Sequence, residues 1–412
     1  MIYGLIGEHL GHSFSAEIHA RLGEEPYELR ELAPEEVPLF LREGEFRGIN
    51  VTIPYKQAVI PCLDEISETA RAIGAVNTVV RRNGKLYGDN TDAAGLTRLL
   101  QRTGADLRGR KVLILGTGGT SLTAMYAARA LGAEQTVRVS RSGRDGAVTY
   151  EQAAAEHRDA RILINTTPCG MYPRTEECPV DLERFPELEA VADVVYNPLR
   201  TNLVLEARKR GIPAEGGLYM LTAQAVRAAE LFRNTEYPPD TAEEIYGELL
   251  REKENIVLTG MPGSGKSTLA SELHRLTGKP VADTDKLIEE KAGKTIPEIF
   301  REDGEERFRD MESGVIAEVS ARGGQIIATG GGAVLREKNV TALRRNGKLV
   351  LLERAAETLV PTEDRPLADT REKMDRLWRE REPVYRAAAD CTVAMEGTPE
   401  ETAREVESRW QA

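Results

Sequence analysis

Gly260-Met261-Pro262-Gly263-Ser264-Gly265-Lys266-Ser267-Thr268 divides this chain into two parts. It reads G-x-x-x-x-G-K-[ST], a loop whose backbone N–H groups converge on phosphate oxygens at a helix N-terminus. The context agrees with the motif. Ile256-Val257-Leu258 has the apolar run of a buried strand, and Thr268 to Leu276 has helical periodicity. In such a loop Lys266 reaches the outer phosphates and the Ser267 hydroxyl is a ligand for Mg²⁺. Gly263, Ser264, Gly265, Lys266, Ser267 and Thr268 are therefore candidate nucleotide-binding residues. A domain of this type starts with that strand, so everything before about residue 250 is expected to be a separate unit upstream.

Bulk properties narrow the function classes. With 412 residues the chain has room for two or three domains, each with its own core. A net charge of −12 argues against nucleic acid or an anionic membrane as a partner. No apolar run approaches the roughly 20 residues of a membrane span. The N-terminal stretch Met1 to Ile6 is strand-like and lacks a basic leader, so no secretory signal is expected. Cys62, Cys169, Cys178 and Cys391 form no C-x-x-C pair, which fits a reduced cytoplasm. The 5 histidines show no metal-ligand spacing.

Upstream, strand-like runs alternate with helical ones from the first residue, an α/β pattern. Asn83-Gly84 between apolar runs predicts a hairpin. Four polar clusters stand out: Ser13-Phe14-Ser15, Asn50-Val51-Thr52-Ile53-Pro54-Tyr55-Lys56, Gly74-Ala75-Val76-Asn77-Thr78, and Gly88-Asp89-Asn90-Thr91-Asp92. Taken singly, each has an ordinary reading. Ser15 and Thr91 would cap helices, Asp89 to Asp92 would be a turn, and Lys56 would be solvated.

Further on, Lys111 to Leu115 reads as a buried strand, followed by Gly116-Thr117-Gly118-Gly119-Thr120-Ser121 and a helix to Leu131. This is a dinucleotide fingerprint with Ser121 in the third glycine position. After the next strand comes Ser140-Arg141-Ser142-Gly143-Arg144, where NAD enzymes place an acid on the ribose. Guanidiniums there accommodate a 2′-phosphate, so NADP is the expected dinucleotide.

The four clusters taken together resemble shikimate dehydrogenase, whose S-x-S, N-V-T-x-P-x-K, G-A-x-N-T and G-x-N-T-D motifs all occur in order. The likeness continues through Asn165 to Met171, Tyr196-Asn197-Pro198 and Gly217 to Gln224. It implies that Lys56 and Asp92 are the catalytic pair, and that Ser13 and Ser15 hold a substrate carboxylate. It places Asp92, Thr52, Asn77, Tyr196 and Gln224 on the other polar groups, and Gly116 to Thr120, Ser140, Arg141, Arg144 and Gly217 on the cofactor. Ala16 and Ala20 depart from the family pattern and predict a shifted helix start. A relative using quinate and NAD is the rival within the class, and Arg141 argues against it.

Beyond the phosphate loop, Asp283-Thr284-Asp285, Phe308-Arg309-Asp310-Met311-Glu312, Gly330-Gly331-Gly332, Arg365-Pro366-Leu367 and Arg381-Glu382-Pro383-Val384-Tyr385 follow in order. This set resembles shikimate kinase. It implies Asp283 and Ser267 at the metal, and Asp285 on the attacking hydroxyl as catalytic base and substrate contact. Lys266 and Arg365 would neutralise the transferring phosphate, Arg309 and Arg381 would hold the carboxylate, and Gly331 and Gly332 would lie against the ring. Thr358 stands where the family's lid carries a further arginine, which predicts weaker adenine packing.

The expected architecture is thus α/β throughout. A two-lobed unit comprises a substrate domain at 1–95, completed by about 213–235, and a Rossmann NADP domain at 96–212. A connector at 236–254 leads to a P-loop kinase domain with a parallel sheet at 255–412. The expected function is bifunctional: NADPH-dependent reduction of 3-dehydroshikimate to shikimate, then MgATP-dependent phosphorylation of shikimate. A non-catalytic ligand-sensing module is the alternative for the second half. Expected partners are these small molecules, with neither nucleic acid nor membrane, and a homo-oligomer left open.

Overall fold

The computed structural model describes residues 2–10, 13–24, 26–354 and 370–411. Two compact units divide the chain, Met1–Glu248 and Leu249–Ala412. The division falls inside the helix Thr241–Lys253.

Two sheets make up the first unit. In the first sheet, β1 (Tyr3–Gly7), β2 (Tyr27–Glu31), β3 (Gly48–Val51), β4 (Glu65–Ile66), β5 (Thr78–Arg82) and β6 (Lys85–Asp89) take the order β2-β1-β3-β5-β6-β4. It is mixed: β1 runs parallel to β2 and β3, while β5 is antiparallel to β3 and β6. The β5–β6 connection is the predicted hairpin, with Asn83 at φ 51° and Gly84 at φ 80°, the left-handed pair that an Asn-Gly turn supplies. Adjacent residues face opposite sides of the pleat. Ile6, Ile49, Val51 and Val79 therefore enter one core, and Leu5 and Val80 the other, beneath Ala228, Leu231 and Phe232 of the helix Leu218–Arg233.

In the second sheet, β7 (Lys111–Leu115), β8 (Gln135–Val139), β9 (Ile162–Asn165), β10 (Ala190–Asp193) and β11 (Ala214–Glu215) run parallel in the order β11-β10-β9-β7-β8. Leu113 and Leu115 pack on one face, Val112 and Ile114 on the other. A parallel sheet covered on both faces needs this unbroken apolar run. The chain reverses direction of build at β7, and ligand crevices form at such switch points, at the carboxyl ends of the strands.

Helix Asp92–Arg102 packs closely on Leu218–Arg233. A Cβ on Gly95 would lie 2.6 Å from the Met220 carbonyl oxygen. That approach brings Gln224 to Thr91, whose Oγ1 lies 3.3 Å from Gln224 Oε1.

Asp193, at the end of β10, is fully buried, with no cationic partner among the described residues. Its Oδ1 accepts from Asn165 Nδ2 and the Val195 N–H, both at 3.0 Å, and its Oδ2 from Thr201 Oγ1 at 2.6 Å. Burial raises its carboxyl to about 7, against the pull of those donors. A raised acid stabilises the fold fully below its unfolded value, and that contribution is lost as pH climbs through the folded value. The window here is about pH 4 to 7. Asp193→Asn mimics the neutral acid, so its stability relative to wild type should improve between pH 5 and pH 8, by an amount on the order of 1–3 kcal/mol. Urea denaturation at the two pH values measures it.

In the second unit, β12 (Asn255–Thr259), β13 (Val281–Asp283), β14 (Ile326–Ala328), β15 (Gly347–Glu353) and β16 (Cys391–Ala394) form a parallel sheet ordered β13-β14-β12-β15-β16. Val257 faces one core, and Ile256 and Leu258 the other. Again the switch lies at the first strand, and the glycine-rich loop leaves its carboxyl end.

Candidate active sites

One cavity of about 370 Å³ in the first unit is lined by Ser13, Ser15, Thr52, Lys56, Asn77, Asp92, Tyr196 and Gln224, all singled out in the sequence. Lys56 Nζ donates to Asp92 Oδ2 at 2.6 Å, with side chains only 19% and 12% exposed. Lys56 is thus no solvated surface lysine. Asp92 opens its helix, where a carboxylate also meets the favourable end of the helix dipole.

Thr91 occupies the N-cap position of that helix, yet its hydroxyl makes no cap. Asn90 Oδ1 accepts from the Ala93 N–H instead. Thr91 Oγ1 bonds Asn77 and lies 3.0 Å from Thr78 Oγ1, joining the Gln224 contact to a buried network. Asn50 extends it, donating to Thr78 Oγ1 and accepting from the Tyr27 hydroxyl at 2.7 Å. Asn77 and Gln224 are therefore held from behind by groups that the motifs did not single out for the site.

Ser15 is the first helical residue and not a cap. Ser13 Oγ accepts from the Ser15 N–H at 3.2 Å and lies 2.9 Å from Ser15 Oγ. Phe14 between them packs on Tyr196, ring centroids 5.3 Å apart, which ties the serine loop to the opposite lobe. Burial raises the Tyr196 hydroxyl above its usual range.

Gly116, at φ 113°, turns the chain out of β7, its N–H donating to the Val139 carbonyl at 2.8 Å. Helix Gly119–Ala130 begins without a side-chain cap. A Cβ on Gly118 or Gly119 would meet nothing within 4 Å. Thr117 is exposed and Thr120 half-buried beside them. Ser140 Oγ accepts from the Gly143 N–H. Arg141 and Arg144 are exposed, and their guanidiniums make no hydrogen bond or ion pair among the described residues. Open backbone donors at a helix start, with unpaired guanidiniums across the next strand, suit a dinucleotide with a ribose phosphate. Gly217 lies elsewhere, where a Cβ would fall 2.1 Å from the Val194 carbonyl oxygen.

A larger cavity, about 560 Å³, occupies the second unit. Gly263, Gly265, Lys266, Ser267, Thr268, Asp283, Asp285, Arg309, Gly331, Gly332 and Arg381 all line it. Ser264 is buried beneath the loop and contacts Lys266 Nζ at 3.4 Å. Lys266 Nζ also donates to the carbonyls of Gly260 and Met261. Helix Lys266–Thr277 starts without a side-chain cap after Gly265 at φ 93°, leaving its first-turn donors to the cavity. Ser267 Oγ donates to Asp283 Oδ2 at 2.9 Å, while Asp283 Oδ1 accepts from the Asp285 and Lys286 N–H groups. That oxygen pair suits Mg²⁺, which takes one or two protein oxygens beside phosphate and water. No cluster of three or more His, Cys, Asp or Glu ligands occurs among the described residues.

The motifs do not single out Glu312 as a functional residue, but the structure does. It is wholly buried, and its Oε2 accepts from Arg309 Nη1 at 2.9 Å. Burial raises its carboxyl, Arg309 opposes this, and neighbouring Asp285 adds to it. The helical i, i+3 spacing was the available signal. Arg381 Nη1 donates to the Gly331 carbonyl at 3.1 Å, and the Tyr385 hydroxyl donates to the same oxygen. Arg365 and Thr358 lie outside the described residues.

Fold and sites together define an oxidoreductase of the dinucleotide class joined to a P-loop phosphotransferase. The comparisons with known proteins particularise both. Residues 5–79 match the shikimate dehydrogenase substrate binding domain and residues 262–411 match shikimate kinase. Shikimate dehydrogenase (NADP(+)) of Clostridium perfringens (strain SM101 / Type A) is 36% identical over 266 residues, covering 60% of this chain and 98% of that one. The Geobacillus kaustophilus enzyme of the same name is 41% identical over 251 residues, covering 56% and 91%. The crystal structure of shikimate 5-dehydrogenase from Thermus thermophilus with NADP(H) and shikimate superposes with a TM-score of 0.54 at 34% identity, covering 60% and 99%. The chain belongs to the shikimate dehydrogenase family and carries a shikimate kinase domain behind it.

Proposed function

We propose that this chain catalyses two consecutive reactions, reduction of 3-dehydroshikimate to shikimate and phosphorylation of shikimate at the new hydroxyl. One observation carries the proposal: each of two scattered sets of side chains converges on a single cavity, in separate units.

NADPH supplies the hydride when bound. Lys56 donates the proton that the carbonyl oxygen needs as it becomes an alcohol, and Asp92 orients the ammonium. Ser13 and Ser15 donate to the carboxylate; Thr52, Asn77, Tyr196 and Gln224 fix the ring. Arg141 and Arg144, with Ser140, take the ribose phosphate, and Gly116 to Thr120 with Gly217 take the rest of the dinucleotide. Arg141→Ala should raise KM for NADPH about tenfold to a hundredfold, the loss of one charge-assisted contact, and leave KM for NADH unchanged. Steady-state kinetics with both cofactors checks this. An unchanged NADPH-to-NADH preference would remove the assignment.

MgATP supplies the phosphoryl group when bound to the second site. Asp285 accepts a hydrogen bond from the substrate hydroxyl and takes its proton, and the work is otherwise positioning and charge neutralisation. Arg309 and Arg381 hold the carboxylate, Arg309 being aimed by Glu312. Lys266, Ser267 and Asp283 organise phosphate and metal, and Arg365 neutralises charge on the transferring group. A Cβ on Gly332 would lie 2.0 Å from Arg309 Nη1. Gly332→Ala should therefore raise KM for shikimate in phosphorylation about tenfold or more by displacing that arginine, while KM for ATP holds. A shikimate titration at saturating ATP measures it.

A non-catalytic sensing role for the second unit is not favoured, since Lys266, Ser267, Asp283 and Asp285 all line the cavity. The free thiols fit a reducing compartment, and the cytoplasm is the location we propose. No helix among the described residues is long and apolar enough to cross a membrane.

A further inference from the structure

We propose that Tyr27 is a positioning residue of the reductase, heading a one-way relay of hydrogen bonds that fixes which atoms Asn77 and Gln224 offer the substrate; this rests on the dehydrogenase reading above. Tyr27 is the first residue of β2 and does not line the cavity. Its ring stacks on His19, centroids 4.2 Å apart and planes within 5°. His19 Nδ1 in turn lies 2.6 Å from Glu24 Oε2, both side chains being wholly buried. The phenol is thus held in one place, with its hydroxyl 2.7 Å from Asn50 Oδ1.

Backbone groups cannot exchange donor and acceptor roles, and they fix each amide of the relay. Asn50 Nδ2 donates to the Asn77 carbonyl at 3.4 Å, so the atom toward Tyr27 is the amide oxygen and Tyr27 must donate. Asn50 Nδ2 also donates to Thr78 Oγ1 at 3.2 Å. Asn77 Oδ1 accepts from the Thr91 N–H at 2.7 Å, which fixes the second amide. The Thr78 hydroxyl therefore passes its proton on to Asn77 Oδ1 at 3.1 Å, filling the second lone pair of that oxygen. Asn77 Nδ2 donates to Thr91 Oγ1 at 3.1 Å. Gln224 Nε2 donates to the Leu221 carbonyl at 3.0 Å, so Gln224 Oε1 takes the Thr91 proton at 3.3 Å.

Every member is buried, where aligned hydrogen bonds polarise and strengthen one another. Burial also raises the Tyr27 hydroxyl well above its usual range, so it keeps the proton it donates. What remains for the cleft is then determined. Asn77 has one N–H to spare and no acceptor, and Gln224 also has one N–H to spare. The ring hydroxyls that meet these N–H groups are therefore bound through their lone pairs.

The test is oxidation of shikimate by the full-length chain at saturating NADP⁺. Tyr27→Phe keeps the ring and removes the leading donor. KM for shikimate should rise about threefold to tenfold, the worth of one hydrogen bond, with kcat changed far less and phosphorylation of shikimate unchanged. Thr78→Val interrupts the relay further on, also behind the cavity lining, and should do the same. In an Asn77→Ala background Tyr27→Phe should add nothing, because its effect passes through that amide; a merely structural tyrosine would act equally in both backgrounds. Wild-type KM in Tyr27→Phe or in Thr78→Val overturns the proposal, as does additivity with Asn77→Ala. If one of the two variants does not fold, the other decides. Absence of turnover in the wild type would instead overturn the dehydrogenase reading. Calorimetric titration of shikimate into wild type and Tyr27→Phe would then still decide the role of Tyr27.

Discussion

Lys56→Met is expected to lower kcat of the reductase reaction by about a hundredfold to ten-thousandfold, the range a positioned general acid supplies. The substitution removes the proton donor that Asp92 holds in the cleft, at 2.6 Å, and replaces it with an apolar chain of similar length. KM for 3-dehydroshikimate should change far less, because the carboxylate and hydroxyl contacts come from other side chains. Lys56 lies in the first unit, and the phosphate-binding loop in the second. Phosphorylation of supplied shikimate by the same preparation should therefore be unchanged, which separates a lost proton donor from a misfolded chain. Stopped assays of NADPH oxidation and phosphate transfer on one sample decide it. Retention of more than about a tenth of the reductase kcat would exclude Lys56 as the acid.

Asp285→Asn should produce the complementary result. Asp285 is the second residue of the helix Thr284–Ala292, and its carboxylate lies beside Glu312 at Gly330, where a Cβ would come 2.5 Å from Asp285 Oδ1 and 2.9 Å from Glu312 Oε1. The amide keeps the shape but takes no proton. Phosphoryl transfer should fall about a hundredfold to ten-thousandfold. Nucleotide affinity should hold, since Lys266, Ser267 and Asp283 are untouched, and so should the reductase reaction. Equal loss of ATP binding would mean that Asp285 acts on the metal, and the assignment of the base would fail.

Much of this was legible in the sequence, for specific reasons. Strands covered on both faces announce themselves as unbroken apolar runs, as in β7 and β12. The glycine-rich turns after them need φ values that side chains rarely adopt, as at Gly116 and Gly265. What stayed hidden were groups whose task is to hold other groups. Thr91 reads as a helix cap and is one by position, but tertiary contacts with Asn77 and Gln224 take its hydroxyl. Asp193 carries no local sign of burial, because the donors that satisfy it come from β9 and from Thr201. Glu312 closes the Phe308 to Glu312 motif without a role of its own in the sequence, and only the fold shows it buried against Arg309.

The central claim is that one chain performs both reactions. Full-length protein given 3-dehydroshikimate, NADPH and MgATP together, with products resolved by chromatography, tests it most directly. The predicted result is shikimate 3-phosphate, with one NADPH oxidised and one ATP consumed per molecule formed. Accumulation of shikimate with ATP untouched would contradict the account, leaving a dehydrogenase fused to a unit that binds without transferring phosphate.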